Sequence, residues 1–93
     1  MLLFFHGREC EHCLKMSPLV TELERELSVT VDRKETWHDE HNARLLVEEY
    51  DVEGKRCGGV PFFFNTETKQ WLCGEVEYAD LKRWASGGSG HAE

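Results

Sequence analysis

Two cysteines separated by two residues, Cys10 and Cys13, constrain this chain more than any other feature. They follow the continuous apolar run at residues 2–5, which is closed by Gly7 and is typical of a buried strand. The residues after Cys10 have helical periodicity, so the pair lies where a strand gives way to a helix. At a helix N-terminus the unpaired N–H groups and the helix dipole stabilise negative charge and lower the pKa of a thiol.

This placement predicts a redox-active pair. Cys10 would be the thiolate nucleophile that attacks a substrate disulfide, and Cys13, one turn later, would resolve the mixed disulfide. The imidazole of His12, when protonated, would add positive charge beside the Cys10 thiolate and make the disulfide a better oxidant. The alternative is that His12 is an exposed helix residue without a tuning role.

The first half of the chain predicts strand, helix, strand and helix. The first helix is expected from near Cys10 to near Leu27, with Pro18 inside it. The β-branched residues at 29–31 indicate a second strand, and Asp39 is a candidate cap of a second helix. The apolar stripe of that helix consists of Ala43, Leu46, Val47 and Tyr50.

The second half predicts a β-hairpin and a closing helix. Apolar segments at 60–64 and 70–74 flank a polar turn, and Tyr78, Leu81 and Trp84 are spaced for a short helix. A strand–helix–strand opening implies a parallel pair with a right-handed crossover. We therefore expect an α/β fold of order β-α-β-α-β-β-α, with a four-stranded mixed sheet and helices on both faces.

Length and charge limit the functional classes. The 93 residues correspond to one small domain, assigned to residues 1–86, with the Gly-rich segment 87–93 as a flexible tail. Eleven basic and 18 acidic residues give a net charge of -7 without a basic patch, which argues against nucleic-acid binding and attraction to anionic membranes. No apolar run approaches the ~20 residues that span a bilayer. We expect a monomer.

The N-terminal residues bear on the compartment. Residues 1–5 are apolar but lack the basic leader and cleavage site of a signal peptide, so a cytoplasmic location is predicted. Four cysteines in a short chain would also suit a secreted disulfide scaffold. The apolar periodicity already provides a core, which favours the cytoplasmic prediction.

Together these features resemble the thioredoxin and glutaredoxin superfamily over nearly all of residues 1–86. The resemblance is carried by Cys-Glu-His-Cys after an apolar strand, by Pro18 in the helix, and by Gly-Gly-Val-Pro-Phe at 58–62 before the hairpin. It implies a minimal thioredoxin fold and thiol–disulfide oxidoreductase activity without a bound cofactor. It also implies that Pro61 is a cis proline facing the cysteines, that Val60 docks substrate through its backbone, and that Gly74 lets the last strand edge pass close to the site.

The chain departs from the family pattern in several places. It starts at the strand before the cysteines, which is closer to a glutaredoxin-sized core, and no glutathione-binding set is visible. Glu9 replaces the thioredoxin tryptophan, and Phe4 occupies the position of the buried acid that helps to deprotonate the resolving cysteine. The proton acceptor for Cys13 is therefore left open among His6, Lys15 and water.

Three further residues have more than one interpretation. Cys57 precedes Pro61 by four residues and Cys73 precedes Gly74, so both are candidate accessory thiols. They would exchange with substrate, form a second disulfide, or be ordinary thiols with Cys73 packed in the core. Trp37 is expected either to cover the core or to border the active site.

Metal binding is the first alternative to redox chemistry. His6, Cys10, His12 and Cys13 are ligand types that zinc uses. Cys57 and Cys73 do not add the usual close second pair, so no metal site is predicted.

The sequence thus predicts an oxidoreductase that exchanges electrons with a protein disulfide or a small disulfide through Cys10–Cys13. Electrons would come from an unidentified reductase, and no organic cofactor is needed. The rivals are a zinc or iron–sulfur protein and a non-catalytic thioredoxin-fold binding module.

Overall fold

Four strands form one mixed sheet in the order β2-β1-β3-β4. A computed structural model describes residues 1–87, so most of the segment predicted as a tail, 88–93, lies outside the described residues. The elements in chain order are β1 (Leu2–His6), α1 (Glu11–Leu27), β2 (Val31–Glu35), α2 (Glu40–Leu45), β3 (Phe62–Asn65), β4 (Trp71–Cys73) and α3 (Tyr78–Ala85). The predicted α/β fold class and element order are confirmed.

The sheet topology follows from the lengths of the connections. β1 and β2 pair in parallel, and α1 provides the long crossover that such a pair needs. β3 pairs antiparallel with both β1 and β4. The turn between β3 and β4 contains Lys69 at a φ of 67°. β4 is the edge strand next to β3.

Alternating side chains of β1 and β3 build two cores, one on each face of the sheet. Leu2, Phe4 and Phe63 pack with α1 and α3, and the rings of Phe4 and Phe63 stack at 4.8 Å. The other face holds five buried residues, packed against Leu45, Tyr50 and Cys57: Leu3, Phe5, Leu46, Phe62 and Phe64. Because β1 and β3 are buried on both faces, they read as continuous apolar runs in the sequence.

Several local expectations differ from the structure. β3 spans Phe62–Asn65 and β4 Trp71–Cys73, against the predicted segments 60–64 and 70–74. β2 begins at Val31 rather than at residue 29, and its four charged residues, 32–35, are half-buried. After α2 the chain continues as a π-helical turn over Leu46–Tyr50. This wider turn breaks the periodicity of 3.6 residues, and Val47, predicted in the apolar stripe, is 46% exposed.

The helix caps agree with the predictions. Cys10 is the N-cap of α1, and the carboxylate of Asp39 accepts a hydrogen bond from the backbone N–H of Asn42 at the start of α2. Pro18 lies inside α1 as expected. None of the helices in residues 1–87 has the length and apolar character required to cross a membrane.

Candidate active site

The N-terminus of α1 carries a disulfide between Cys10 and Cys13, whose Cα atoms are 5.2 Å apart. The backbone N–H of Cys13 donates to Sγ of Cys10 at 3.2 Å, and the N–H of Cys10 donates to the carbonyl of Gly7 at 3.1 Å. An N–H aimed at this sulfur stabilises it as a thiolate once the disulfide is reduced. The two cysteines are 5% and 2% exposed, so only a narrow face of the pair meets solvent.

The docking residues that the resemblance implies form the wall opposite the disulfide. The Val60–Pro61 peptide bond is cis, and the carbonyl oxygen of Val60 lies 3.9 Å from Sγ of Cys10. Gly74 has a φ of 81°, which favours glycine, and its N–H donates to the carbonyl of Pro61 at 2.9 Å. The structure therefore brings Val60, Pro61 and Gly74 to one edge beside Cys10, although their docking role stays a prediction.

His12 has a partner that sequence reasoning missed. Its Nδ1 lies 2.5 Å from Oε1 of Glu75, in the loop that follows β4. The hydrogen bond from His12 lowers the pKa of the Glu75 carboxyl below its ordinary value. Because Glu75 carries the opposite charge, it offsets part of the effect of a protonated His12 on the nearby cysteine pair.

We predict that His12→Ala makes the Cys10–Cys13 pair more reducing. Loss of a positive charge disfavours the thiolate, so the midpoint potential should fall by about 10 to 20 mV. The shift is small because the side chain is 65% exposed and paired with Glu75. His41→Ala, an exposed histidine of α2, is the matched control in a thiol–disulfide titration. Equal midpoints for the two variants would exclude a tuning role for His12.

The segment after β2 is joined to the loop that precedes Cys10. The carboxylate of Glu35 accepts hydrogen bonds from the backbone N–H groups of Arg8, Trp37 and His38. Burial raises the pKa of Glu35, but these three donors outweigh it and hold the pKa below its ordinary value. His38 also contacts both carboxylate oxygens of Glu9, at 2.7 and 2.8 Å, which lowers the pKa of Glu9.

Trp37 borders the site and does not fill the core. Its ring lies directly against Gly7, where a Cβ atom would clash with Cδ2 of the ring. The side chain is nevertheless 54% exposed. Gly7 lies three residues before Cys10, so this exposed ring packs against the loop that leads into the cysteine pair. The resemblance would place a tryptophan in that loop at position 9, where this chain has Glu9.

The two remaining cysteines form a second disulfide, Cys57–Cys73, with Cα atoms 5.4 Å apart. Of the alternatives that the sequence left open, this pairing corresponds to the second disulfide. Cys73 is exposed, so its interpretation as a packed core thiol is wrong. Its position on the edge strand β4 gives its side chain little to pack against.

A buried carboxylate that the sequence did not reveal holds the loop before Pro61. Asp51 is 1% exposed, and it accepts hydrogen bonds from the backbone N–H groups of Arg56, Cys57 and Gly58 at 2.7, 3.0 and 2.8 Å. An Asp just before a Gly-containing polar loop is a turn signal that could have indicated this role. Asp51 thereby fixes the backbone on which Cys57 lies.

The proton acceptor for Cys13 stays open. Phe4, at the position of the family acid, stacks on Phe63, and within residues 1–87 the buried polar residues are Asp51 and Asn65. Asp51 binds its loop, and Asn65 donates to the carbonyl of Trp84. Burial lowers the pKa of His6, which favours the neutral imidazole that a base requires. Across the described part of the chain, no group of three His, Cys, Asp or Glu residues is placed to hold a metal ion.

Comparisons with known proteins support the fold. No protein-family model matches the chain, and a search of curated proteins finds no significant match. Among solved structures, the chain is similar to a crystallised point mutant of the thioredoxin-like protein BC3987, with 14% sequence identity and a TM-score of 0.63. The alignment covers 91% of this chain and 94% of that chain. The protein therefore has a thioredoxin-like fold, and its Cys10–Cys13 pair is compatible with redox activity.

Proposed function

We propose that this protein is a thiol–disulfide oxidoreductase that exchanges electrons with disulfide-containing polypeptides through Cys10 and Cys13. One observation carries the proposal: the disulfide at the N-terminus of α1 lies against the backbone of Val60, with Sγ of Cys10 3.9 Å from its carbonyl. A substrate strand that pairs with Val60 would bring its own disulfide beside Cys10.

The reaction takes two exchange steps. The Cys10 thiolate attacks one sulfur of the substrate disulfide, a mixed disulfide forms, and the other substrate sulfur leaves as a thiolate. Cys13 then attacks Sγ of Cys10, which re-forms the protein disulfide and releases the second substrate thiolate. Two electrons pass from the cysteine pair to the substrate, and a reductase, unidentified here, returns two electrons to the pair.

The surroundings of the pair favour a polypeptide over a small disulfide. Only 5% of Cys10 is exposed, so a substrate sulfur has to approach along the Val60 edge. The ring of Trp37, against Gly7, and the side chain of Leu14, next to Cys13, are both exposed and offer apolar surface. An extended peptide can use the backbone of Val60 as well as this surface. A small disulfide can use neither fully.

The proposal is tested by the rate at which the protein, kept reduced by dithiothreitol, reduces a polypeptide disulfide and a small aromatic disulfide. We expect acceleration over dithiothreitol alone by about tenfold or more for the polypeptide, and a smaller factor for the small disulfide. The Cys10→Ser/Cys13→Ser variant is the matched control. Equal rates for this variant and the wild type would refute the proposed activity and favour the alternative, a non-catalytic binding module. The monomeric state and the cytoplasmic location stay predictions.

A further inference from the structure

The second disulfide lies on the opposite face of the sheet from the first. Cys73 is paired in register with Phe62, which belongs to the core on the α2 face, and Cys57 packs against that same core. Cys10 and Cys13 belong to the core on the α1 face. The two disulfides therefore have separate surroundings, and direct sulfur exchange between them is blocked by the sheet.

The two disulfides also differ in access. Cys73 is exposed on an edge strand and Cys57 is half-buried, whereas Cys10 and Cys13 are 5% and 2% exposed. An incoming thiolate can reach Sγ of Cys73 more readily than Sγ of Cys57. Exposed disulfides are also the ones that thiols reduce most readily.

A positive charge lies on this face. The guanidinium of Arg56 is 5.6 Å from the ring centre of Phe64 and 5.8 Å from that of Trp71. Trp71 and Cys73 are two residues apart on β4, so their side chains point to the same face of the sheet. The Arg56 guanidinium therefore lies on the face of the sheet that carries Cys73.

The second disulfide is joined to the backbone that faces the first. Sγ of Cys57 lies 3.8 Å from the carbonyl oxygen of Pro61, and the same carbonyl accepts the hydrogen bond from Gly74. The disulfide therefore cross-links the segment 57–61 to β4 one residue before Gly74. Val60, inside this segment, presents its carbonyl to Cys10.

We propose that Cys57–Cys73 is a second thiol–disulfide exchange site, which low-molecular-weight thiols attack at Cys73. When intact, this disulfide holds the Val60–Pro61 segment in the geometry that docks substrate. The statement about docking rests on the function proposed above, whereas the statement about exchange does not.

The exchange step balances with two thiols as the reductant. A first thiolate attacks Sγ of Cys73, the Cys57–Cys73 bond breaks, and Cys57 leaves as a thiolate. A second thiolate attacks the sulfur of the bound thiol, which forms the small disulfide and releases the Cys73 thiolate. Two electrons pass to the protein, and the released thiolates take protons from water.

The exchange site is tested in the Cys10→Ser/Cys13→Ser variant, which leaves Cys57 and Cys73 as its only cysteines. The folded variant is equilibrated in graded mixtures of a monothiol and its disulfide, alkylated, and mapped by mass spectrometry. We expect two thiols to appear and disappear reversibly while circular dichroism stays native, with the transient thiol adduct on Cys73. A disulfide that persists until the chain unfolds, or an adduct confined to Cys57, would overturn the proposal.

The link to docking is tested by comparing the wild type with Cys57→Ser/Cys73→Ser in the reduction of a polypeptide disulfide. Cys10 and Cys13 are reduced beforehand and the small thiol is removed, because it would also reduce Cys57–Cys73 in the wild type. We expect KM to rise by about fivefold with kcat within about twofold, because the change weakens substrate binding and leaves Cys10 and Cys13 in place. If this variant does not fold, the same comparison is made on wild-type protein with Cys10 and Cys13 reduced and with Cys57–Cys73 either intact or reduced. An unchanged KM would overturn the link. A wild type without turnover would refute the proposed function and leave the exchange result intact.

Discussion

Cys13→Ser is expected to turn the protein into a stable trap for substrate polypeptides, whereas Cys10→Ser should form no adduct at all. Cys10 caps α1, receives the N–H of Cys13 and faces the Val60 backbone, so it is placed to be the attacking sulfur. A serine hydroxyl is not ionised near neutral pH and cannot replace it. In either variant the rate of disulfide reduction should fall to that of the reductant alone.

The two variants are distinguished by adducts rather than by rates. Each is mixed with an oxidised polypeptide, quenched with an alkylating reagent and separated without reductant. Cys13→Ser should show a band shifted by the mass of the polypeptide, which disappears when reductant is added, because no resolving thiol remains beside Cys10. Adducts on Cys10→Ser but not on Cys13→Ser would reverse the assignment of nucleophile and resolving cysteine.

Asp51→Ala is expected to cause the largest loss of stability among polar substitutions, about 3 kcal/mol of unfolding free energy. The change leaves three backbone N–H groups of the loop before Pro61 without their acceptor. Asp51→Asn should cost less, because it keeps the Oδ1 atom that accepts from Arg56 and Cys57 but places an amide N–H against the N–H of Gly58.

Asp39→Ala is the matched control for this prediction. Asp39 is also an aspartate that accepts a backbone N–H, but it is exposed and caps α2 through Asn42 alone, so its loss should cost about 1 kcal/mol. The order of stability in urea unfolding should be wild type, Asp39→Ala, Asp51→Asn, Asp51→Ala. An Asp51→Ala variant no less stable than Asp39→Ala would show that the carboxylate does not organise the loop.

The parts of the fold that sequence reasoning predicted correctly depend on local signals. The apolar run of β1, the periodicity of α1 and the turn between the last two strands are each encoded within a few neighbouring residues. The position of Cys10 as a helix cap follows from the first two, since it lies at the point where they meet. The prediction that the peptide bond before Pro61 is cis rested on the family resemblance and not on these local signals.

The parts that the sequence did not predict depend on contacts between distant segments. His12 is hydrogen-bonded to Glu75, 63 positions later in the sequence. The carboxylate of Glu35 accepts a hydrogen bond from the backbone N–H of Arg8, 27 positions earlier. Sequence periodicity does not predict such pairs, because the sequence does not show which exposed polar residues the fold brings together. The prediction that Val47 belongs to the apolar stripe of the second helix was wrong for another reason. The π-helical turn at Leu46–Tyr50 changes which residues share a face, and the apolar pattern does not indicate this wider turn.

A redox titration of the wild-type protein tests the central claim most directly. The folded protein is equilibrated in graded thiol–disulfide buffers, its free thiols are alkylated, and each cysteine is assigned by peptide mapping. The account predicts a reversible two-electron transition of Cys10 and Cys13 together, at a midpoint distinct from that of Cys57 and Cys73. A Cys10–Cys13 pair that stays in one state across the whole series, while the protein remains folded, would contradict it.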